Sequence, residues 1–239
     1  MPLAFTRLVD TPVVTTIHGF SSDRILPAFR AYQDRVHYVA ISEADRAPDL
    51  RYAATIHHGI PIEQFPFDAV GSDDLLFFGR MHPDKGAAEA IAAAQASGRR
   101  LLMAGIVQDQ GYFDRLVAPA IDGDRVRFLG AVGGAERART LGAAHCLLHL
   151  INFDEPFGLS VIEAMACGTP VIACNRGSMP ELIDHGVTGF LVDSVEEAIA
   201  AIDRIRKIDR AACRAAVMER FTVDRMADAY LALYRSILG

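Results

Sequence analysis

The chain has 239 residues, of which 51% are hydrophobic and 23% charged, and its formal net charge is −6 at pH 7. This length accommodates one large domain or two small ones with an ample apolar core, and the negative charge argues against binding to nucleic acid or to an anionic membrane surface. No apolar stretch reaches the roughly 18 residues of a membrane-spanning helix, and the first residues lack the basic and then apolar pattern of a signal peptide.

The beginning of the chain predicts a small parallel α/β segment. Apolar and β-branched runs indicate three buried strands with a helix between the first two. The strands are predicted at 12–17, 36–41 and 53–57, and the helix at 23–33. Strands that alternate with helices are typical of a parallel sheet, but three strands are too few for a doubly wound domain. The polar stretch 68–73 then separates this segment from the rest.

From residue 74 onward the alternation of strands and helices is fuller. Strands are predicted at 75–78, 100–104, 126–129, 146–150, 170–173 and 189–192, and helices at 85–97, 112–120, 135–143, from Met179, and at 195–207, 209–220 and 223–238. This pattern predicts a complete doubly wound unit of about 150 residues, whose ligands bind at the carboxyl ends of the strands.

The cysteines indicate the redox environment. No C-x-x-C pair occurs among Cys146, Cys167, Cys174 and Cys213, and three of the four lie in or beside predicted core elements. They are therefore interpreted as reduced, buried thiols in a cytoplasmic protein.

Residues 151–181, INFDEPFGLSVIEAMACGTPVIACNRGSMPE, carry two glutamates around a predicted helix start. Pro156 suits the first helical turn and Gly158 allows close ligand approach, which places Glu155 just before the helix and Glu163 about two turns into it. A helix N-terminus favours phosphate, whereas carboxylates accept hydrogen bonds from sugar hydroxyls. The combination predicts a nucleoside-diphosphate sugar. Alternatively, Glu155 only complements the helix dipole and Glu163 is a solvated helix residue.

A second motif, FFGRMHPDKG, places two cations around a turn. Arg80 leaves the end of a strand, Pro83 and Asp84 form the turn, and Lys85 is expected to enter the next helix. Such a loop can return both cations to one crevice. In isolation, the pair is also typical of solvated surface charges.

Together these two motifs resemble a known family. EPFGLSVIEAMACGTPVIA resembles the E-x7-E signature of retaining glycosyltransferases of family 4, and FFGRMHPDKG resembles their G-R-x4-K-G element. The resemblance covers nearly the whole chain. It implies an α/β, GT-B-like fold with a complete doubly wound C-terminal donor-binding domain at 74–222 and a partial N-terminal Rossmann-like domain at 1–67. It further implies that the helix at 223–239 packs back toward the N-terminal part.

The resemblance also implies roles for individual residues. Arg80 and Lys85 hold the donor diphosphate, where fixed cations stabilise the charge that grows as the leaving group departs. Glu163 accepts hydrogen bonds from the ribose hydroxyls. The sugar is contacted by Glu155 and by the amides of Phe157, Gly158 and Leu159.

His18 is the N-terminal candidate. PVVTTIHGF resembles the family's segment whose histidine contacts the donor sugar across the cleft, and YVAISEADR resembles the segment that follows. A histidine at a strand end is otherwise a structural residue more often than a catalyst. The chain departs from the family at His58-Gly59, where Asn-Gly is typical.

The reaction implied is transfer of a sugar, with retention, from a UDP- or GDP-linked donor to the hydroxyl of an unidentified acceptor, which is a saccharide, a lipid or a small molecule. No metal and no cofactor are expected, because the leaving phosphate itself helps to deprotonate the acceptor. The alternative of another class is a nucleotide-sugar-binding or assembly module without transfer activity. A GT-B epimerase or phosphorylase is the third hypothesis, and the phosphorylase is disfavoured because the lysines are poorly placed for pyridoxal phosphate.

The N-terminal part is shorter than the family pattern by about 100 residues, an estimate from domain size. An incomplete parallel sheet exposes an edge and apolar faces, so we expect a partner chain, such as a second copy, to cover it or part of it to be disordered. We also expect the chain alone to bind donor and to show at most slow hydrolysis.

Two glycine-containing turns complete the motifs. Asp122-Gly123-Asp124 spells the D-x-D of metal-dependent glycosyltransferases but joins a helix to the start of a strand, so it is interpreted as a turn away from the crevice. Gly133-Gly134 precedes a helix and either borders the nucleobase pocket, as the resemblance suggests, or forms a tight turn. No G-x-G-x-x-G follows a strand, which disfavours NAD.

Overall fold

The first part of the chain forms a small parallel sheet. The computed structural model describes residues 2–19 and 21–239, so Met1 and Phe20 lie outside the described residues. The small sheet has the order β1-β2-β3, with β1 at Val13–Ile17, β2 at Val36–Ala40 and β3 at Tyr52–Thr55. Helix α1, Leu26–Tyr32, connects β1 to β2. The prediction of three strands and one helix is confirmed, although the helix is shorter than 23–33.

The second part forms a large sheet of six parallel strands in the order β6-β5-β4-β7-β8-β9. Its strands are β4 Leu75–Phe78, β5 Leu101–Ala104, β6 Val126–Gly130, β7 Cys146–His149, β8 Val171–Cys174 and β9 Gly189–Val192. The order reverses between β4 and β7, which is the switch point of a doubly wound sheet. The predicted doubly wound unit is therefore confirmed, and its ligand crevice is expected where β4 and β7 end.

Helices cover both faces of the large sheet, which is why its strands are almost continuous apolar runs. They are α2 Ala87–Ala96, α3 Gln110–Tyr112, α4 Gly134–Ala143, α5 Leu159–Ala166, α6 Met179–Leu182, α7 Val195–Arg204 and α8 Arg210–Arg220. The last helix, α9, is Val223–Leu238. Short 3-10 turns lie at Pro2–Arg7, Ile62–Gln64, Pro83–Lys85, Ala118–Ala120 and Ile205–Lys207. Within residues 2–19 and 21–239, no helix is both long enough and apolar enough to cross a membrane.

Where helix boundaries differ from the prediction, local backbone chemistry explains the difference. The helix expected at 112–120 begins at Gln110, passes through a π-helical turn at Phe113–Val117 and ends as a 3-10 turn at Ala118–Ala120. Pro119 lies in that last turn, and because it has no N–H to donate, the α-helix cannot continue regularly through it.

Helix α9 returns the chain to the small sheet. Leu233 packs against Val39 of β2 and Ile56 in one buried cluster, and the hydroxyl of Tyr230 lies 2.7 Å from Oγ1 of Thr16. At the crossing, the amide of Ile60 donates to the carbonyl of Phe221 at 2.9 Å. The C-terminal helix thus completes the packing of the N-terminal sheet.

The cysteines are free thiols. Cys146, Cys167 and Cys213 are buried and Cys174 is half-buried. Burial raises the pKa of Cys146 to about 12, so that thiol stays protonated and unreactive at neutral pH.

Candidate active site

A cleft lies where the carboxyl ends of the two sheets meet. The small sheet contributes residues that follow β1, β2 and β3, and the large sheet contributes the segments after β4 and β7. The cavity there has a volume of about 350 Å³. It is lined by His18, Ile41, His58, Phe78, Gly79, Arg80, Lys85, His149, Glu155, Pro156, Phe157, Gly158, Leu159 and Ser160. The structure therefore brings together the predicted residues His18, Arg80, Lys85 and Glu155 from three separate segments, which follow β1, β4 and β7.

Lys85 and Glu155 form a shielded ion pair in this cavity. Nζ of Lys85 lies 2.5 Å from Oε2 of Glu155, and the two side chains are 14% and 13% exposed. Nζ also lies 4.4 Å from the ring centroid of Phe153, within cation–π range. Lys85 and Glu155, two of the predicted donor-binding residues, are thus each other's partner in the structure, which the sequence did not indicate.

The expectation that Lys85 enters a helix is wrong. Lys85 ends the 3-10 turn Pro83–Lys85, and α2 begins only at Ala87. Gly86 between them has a φ of +75°, and a Cβ there would lie 1.8 Å from the carbonyl oxygen of Leu150. Only glycine fits this left-handed, close-packed position, and the resulting turn directs Lys85 at the loop after β7.

Arg80 follows β4 and remains exposed at the edge of the cavity. Within the described part of the chain, its guanidinium takes part in no ion pair. An arginine at the rim of a cleft, beside a lysine and a helix start, is suited to an anionic ligand because its planar fork can bind phosphate oxygens in pairs.

The N-terminus of α5 faces the cavity. The expectation that Pro156 lies in the first helical turn is wrong, because α5 begins at Leu159 and Gly158 is its N-cap with a φ of +98°. Pro156 and Phe157 belong to the preceding loop. The first amides of a helix have no partner within the helix, and Gly158 and Leu159 present them at the cavity wall.

Glu163 lies deeper than the cavity lining. It is 4% exposed, and its carboxylate pairs with the guanidinium of Arg137 on α4. Burial raises the pKa of Glu163 to about 7, against the opposing charge of Arg137. The structure does not place Glu163 among the fourteen residues around the cleft, and its ribose-binding role stays a prediction. Nothing in the local sequence marks Arg137 as its partner.

Two further histidines, His58 and His149, line the cleft, and the sequence analysis did not assign either of them to the site. The rings of His18 and His58 stack in parallel, with centroids 5.2 Å apart and an interplanar angle of 5°. His58 also meets the ring of Phe157 edge-on at 4.9 Å. Burial, together with the charges of His18 and His57, lowers the pKa of His58. His149 ends β7, and its Nε2 lies 3.7 Å from Oε2 of Glu155.

Polar contacts join the two parts of the chain beside the cleft. The carboxylate of Glu181 on α6 accepts hydrogen bonds from the amides of Glu43 and Ala44, both at 2.9 Å, and it lies 3.0 Å from Nε2 of His57. The hydroxyl of Ser42 donates to the carbonyl of Pro156 at 2.7 Å. The segment after β2 is thereby fixed to the glutamate loop.

The remaining sequence motifs lie outside the cavity lining. Asp122 accepts hydrogen bonds from the amides of Asp124 and Val126, both at 2.9 Å, at the start of β6. Its interpretation as a turn is confirmed. Gly133 is the N-cap of α4, and whether the Gly133-Gly134 turn borders a nucleobase stays a prediction.

Two parallel α/β sheets that meet at their carboxyl ends around such a cleft define a protein of the GT-B fold. Solved structures share it. HepE of Anabaena in complex with UDP and glucose superposes with a TM-score of 0.83 at 22% identity, over 98% of this chain and 74% of HepE. Sucrose-phosphate synthase of Thermosynechococcus elongatus superposes with a TM-score of 0.81 at 24% identity, over 98% of this chain and 70% of that one.

The family follows from the sequence match. The family model described as glycosyl transferases group 1 matches residues 63–216. The chain therefore belongs to the group 1 glycosyl transferases. It is 32% identical over 243 residues to D-inositol 3-phosphate glycosyltransferase of Mycobacterium tuberculosis. That match covers 95% of this chain and 46% of the relative, so the chain spans about half the length of the curated relatives that it matches.

Proposed function

We propose that the cleft binds a nucleoside-diphosphate sugar and serves its transfer to an acceptor hydroxyl. The observation that carries this proposal is the convergence of Arg80, Lys85, Glu155 and the α5 N-terminus on one cavity at the switch point of the sheet. Cations and helix amides suit the diphosphate, and a carboxylate suits the sugar hydroxyls. The complex of HepE with UDP and glucose supports a uridine-linked donor.

In the proposed reaction an acceptor oxygen forms a bond to the anomeric carbon while the bond from that carbon to the diphosphate oxygen breaks. The bonding electron pair leaves with the diphosphate, and the acceptor proton passes to an oxygen of the departing phosphate. Arg80 and Lys85 stabilise the charge that grows there, an effect worth roughly 3–4 kcal/mol for one such contact. Retention of configuration and independence of metals and cofactors belong to the proposal.

The donor role is tested by nucleotide binding. Arg80→Ala and Lys85→Ala should each weaken UDP binding at least about tenfold, whereas uridine, which lacks the diphosphate, should bind the variants and the wild type alike. Lys207→Ala is the matched control, since Lys207 is exposed in the turn Ile205–Lys207, away from the cleft. Equal weakening of UDP and uridine would contradict the assigned role.

Transfer is tested separately, with inositol phosphate as the first acceptor because the M. tuberculosis relative is named for it. The configuration of the product at the anomeric carbon checks retention, and added EDTA checks the need for a metal. Binding of the donor without transfer to any acceptor would instead support a nucleotide-sugar-binding module.

The proposal also includes association of two copies of the chain and a cytoplasmic location. An apolar groove lies between the start of β1 and the end of α9, lined by Val14, Tyr234, Ile237 and Leu238 among others, and Leu238 is 75% exposed. A second copy of the chain would cover this surface, which light scattering can test. The cytoplasmic location rests on the free cysteines.

A further inference from the structure

Lys85 faces two competing anions. In the structure its Nζ lies 2.5 Å from Oε2 of Glu155, yet the proposed function requires the same ammonium to bind a diphosphate. Both partners are shielded, with side chains 14% and 13% exposed. When Lys85 turns to a diphosphate, Glu155 is left as a shielded carboxylate without its cation, which is strongly unfavourable unless another donor replaces it.

His149 is placed to be that donor. Its side chain is 7% exposed and its Nε2 lies 3.7 Å from Oε2 of Glu155, the same oxygen that Lys85 holds. This nitrogen has no hydrogen-bond partner in the described part of the chain. Buried side-chain nitrogens without a partner are uncommon in folded proteins, and a shift of less than about 1 Å would bring this one within hydrogen-bond distance of the carboxylate.

His149 is neutral at pH 7 and can therefore donate a hydrogen bond without adding charge to the cavity. Burial lowers its pKa to about 4, with Glu155 acting in the opposite direction and Lys85 in the same direction. The other ionisable groups on the cavity wall are Arg80, His18 and His58. A neutral imidazole carries one N–H, so His149 can donate to Glu155 at pH 7 without taking up a proton.

We propose that Glu155 exchanges partners when a diphosphate enters the cleft: Lys85 moves to the phosphate and the Nε2–H of His149 takes over the freed oxygen of Glu155. His149 is then a positioning residue that keeps Glu155 oriented toward the sugar. The proposal rests on the proposed function, since it requires a diphosphate in this cavity. It also accounts for the pairing of the two groups in the structure, because each shielded charge is compensated by the other.

Two substitutions separate the hydrogen bond from packing. His149→Gln retains an N–H donor of similar reach, whereas His149→Phe fills similar space without one. His149→Phe should weaken UDP binding about tenfold while uridine binding changes less than about twofold, and His149→Gln should stay within about threefold of the wild type for both ligands. Calorimetry gives the affinities, and thermal unfolding shows whether each variant is folded.

A double-mutant cycle tests the exchange itself. In a Lys85→Met background Glu155 has lost the lysine before any ligand arrives, so His149 holds it in both states. His149→Phe should then change UDP affinity less than about twofold. An equal loss in both backgrounds, equal effects of Gln and Phe, or a parallel loss of uridine binding would each overturn the proposal.

Inorganic pyrophosphate separates this proposal from the donor site. If the wild type binds neither UDP nor pyrophosphate, the proposed donor site is wrong and the exchange with it. If the wild type binds both and the two His149 variants behave alike, the donor site stands and only the exchange is wrong.

Discussion

Asp45 carries a carboxyl group that the fold buries without a partner. The residue is 1% exposed, neither carboxyl oxygen has a hydrogen-bond partner within the described residues, and burial raises its pKa from 3.8 to about 7. The folded state therefore holds a proton that the unfolded chain releases above pH 4. Between pH 4 and 7 the folded state binds more protons, so this group makes stability fall as pH rises.

The first prediction follows from this sign. Asp45→Asn should remove this decrease of stability with rising pH. At pH 8 the variant should therefore be more stable than the wild type, by about 1.4 kcal/mol for each unit of the pKa shift. At pH 4 the difference should be small. Urea unfolding at pH 4, 6 and 8 measures it, with the exposed Asp203→Asn as the control. A difference that does not grow with pH would contradict the prediction.

Glu163 leads to a pH-dependent prediction for binding. Its pKa is raised to about 7 by burial while Arg137 acts in the opposite direction, so removing that cation should leave the carboxyl mostly protonated at neutral pH. A protonated carboxyl accepts ribose hydroxyls poorly. At pH 7.5, where most wild-type carboxyls are ionised, Arg137→Gln should therefore weaken UDP binding, and it should recover part of that binding at pH 9.

The controls for this prediction are a dideoxyribose analogue of UDP and Glu163→Gln. The analogue should respond little to pH in the Arg137→Gln variant, and Glu163→Gln should weaken UDP more than the analogue at every pH. If UDP and the analogue behave alike throughout, Glu163 is not the ribose ligand.

Gly59 sets the distance between two segments that cross. A Cβ at this position would lie 2.2 Å from the carbonyl oxygen of Thr222, a backbone atom that cannot move away cheaply. Gly59→Ala should destabilise the protein by about 1–3 kcal/mol, the usual cost of overpacking. Gly133→Ala is the matched control, since a Cβ there meets nothing within 4 Å. Chemical denaturation measures the free energy of unfolding of both variants. Equal losses of stability in the two would contradict the prediction, because the crossing segments could then move apart to admit the Cβ.

The strands could be predicted more reliably than the helix starts. Five of the six strands of the large sheet are mostly buried apolar runs, so their positions follow largely from composition; in the edge strand β6 only Val126 is buried. The starts of α2 and α5 differ from expectation because Gly86 and Gly158 adopt left-handed conformations, and sequence does not reveal whether a glycine does so. A helix-favouring residue before such a glycine, such as Lys85, then falls in a turn.

The sequence also predicted only part of the candidate site. Two local motifs identified Arg80, Lys85 and Glu155. Because ligands of a doubly wound sheet bind at the carboxyl ends of its strands, these residues were expected to meet there. The Lys85–Glu155 pair, the Glu163–Arg137 pair and the stack of His18 on His58 join residues far apart in the chain. Such pairings depend on packing between segments, which no spacing in a single sequence encodes.

The two parts of the chain are joined through Glu181. Its carboxylate is 20% exposed and accepts from the amides of Glu43 and Ala44. Burial raises its pKa, but the hydrogen bonds from His57 and these amides outweigh burial and lower it overall. This contribution to stability is present above pH 4.5 and is lost as pH falls through the lowered pKa.

Loss of this contact should loosen the segment after β2. Glu181→Gln should speed hydrogen exchange at the amides of Glu43 and Ala44, since a neutral amide group offers one accepting oxygen where the carboxylate offers two. Exchange measured residue by residue at pH 7 tests this, with Glu219→Gln on the exposed side of α8 as control. Unchanged protection of both amides would contradict the prediction.

The packing of α9 on the small sheet has a consequence for synthesis on the ribosome. Thr16 and Tyr230 are 214 residues apart in the chain, yet their hydroxyls lie 2.7 Å apart. A nascent chain emerges at roughly 5–20 residues per second, so β1 to β3 spend roughly ten to forty seconds outside the ribosome before α9 can cover them. During that interval the small sheet exposes apolar surface that the finished protein buries. We expect the large sheet to fold first, and chaperone binding to concentrate on nascent chains in which α9 has not yet emerged.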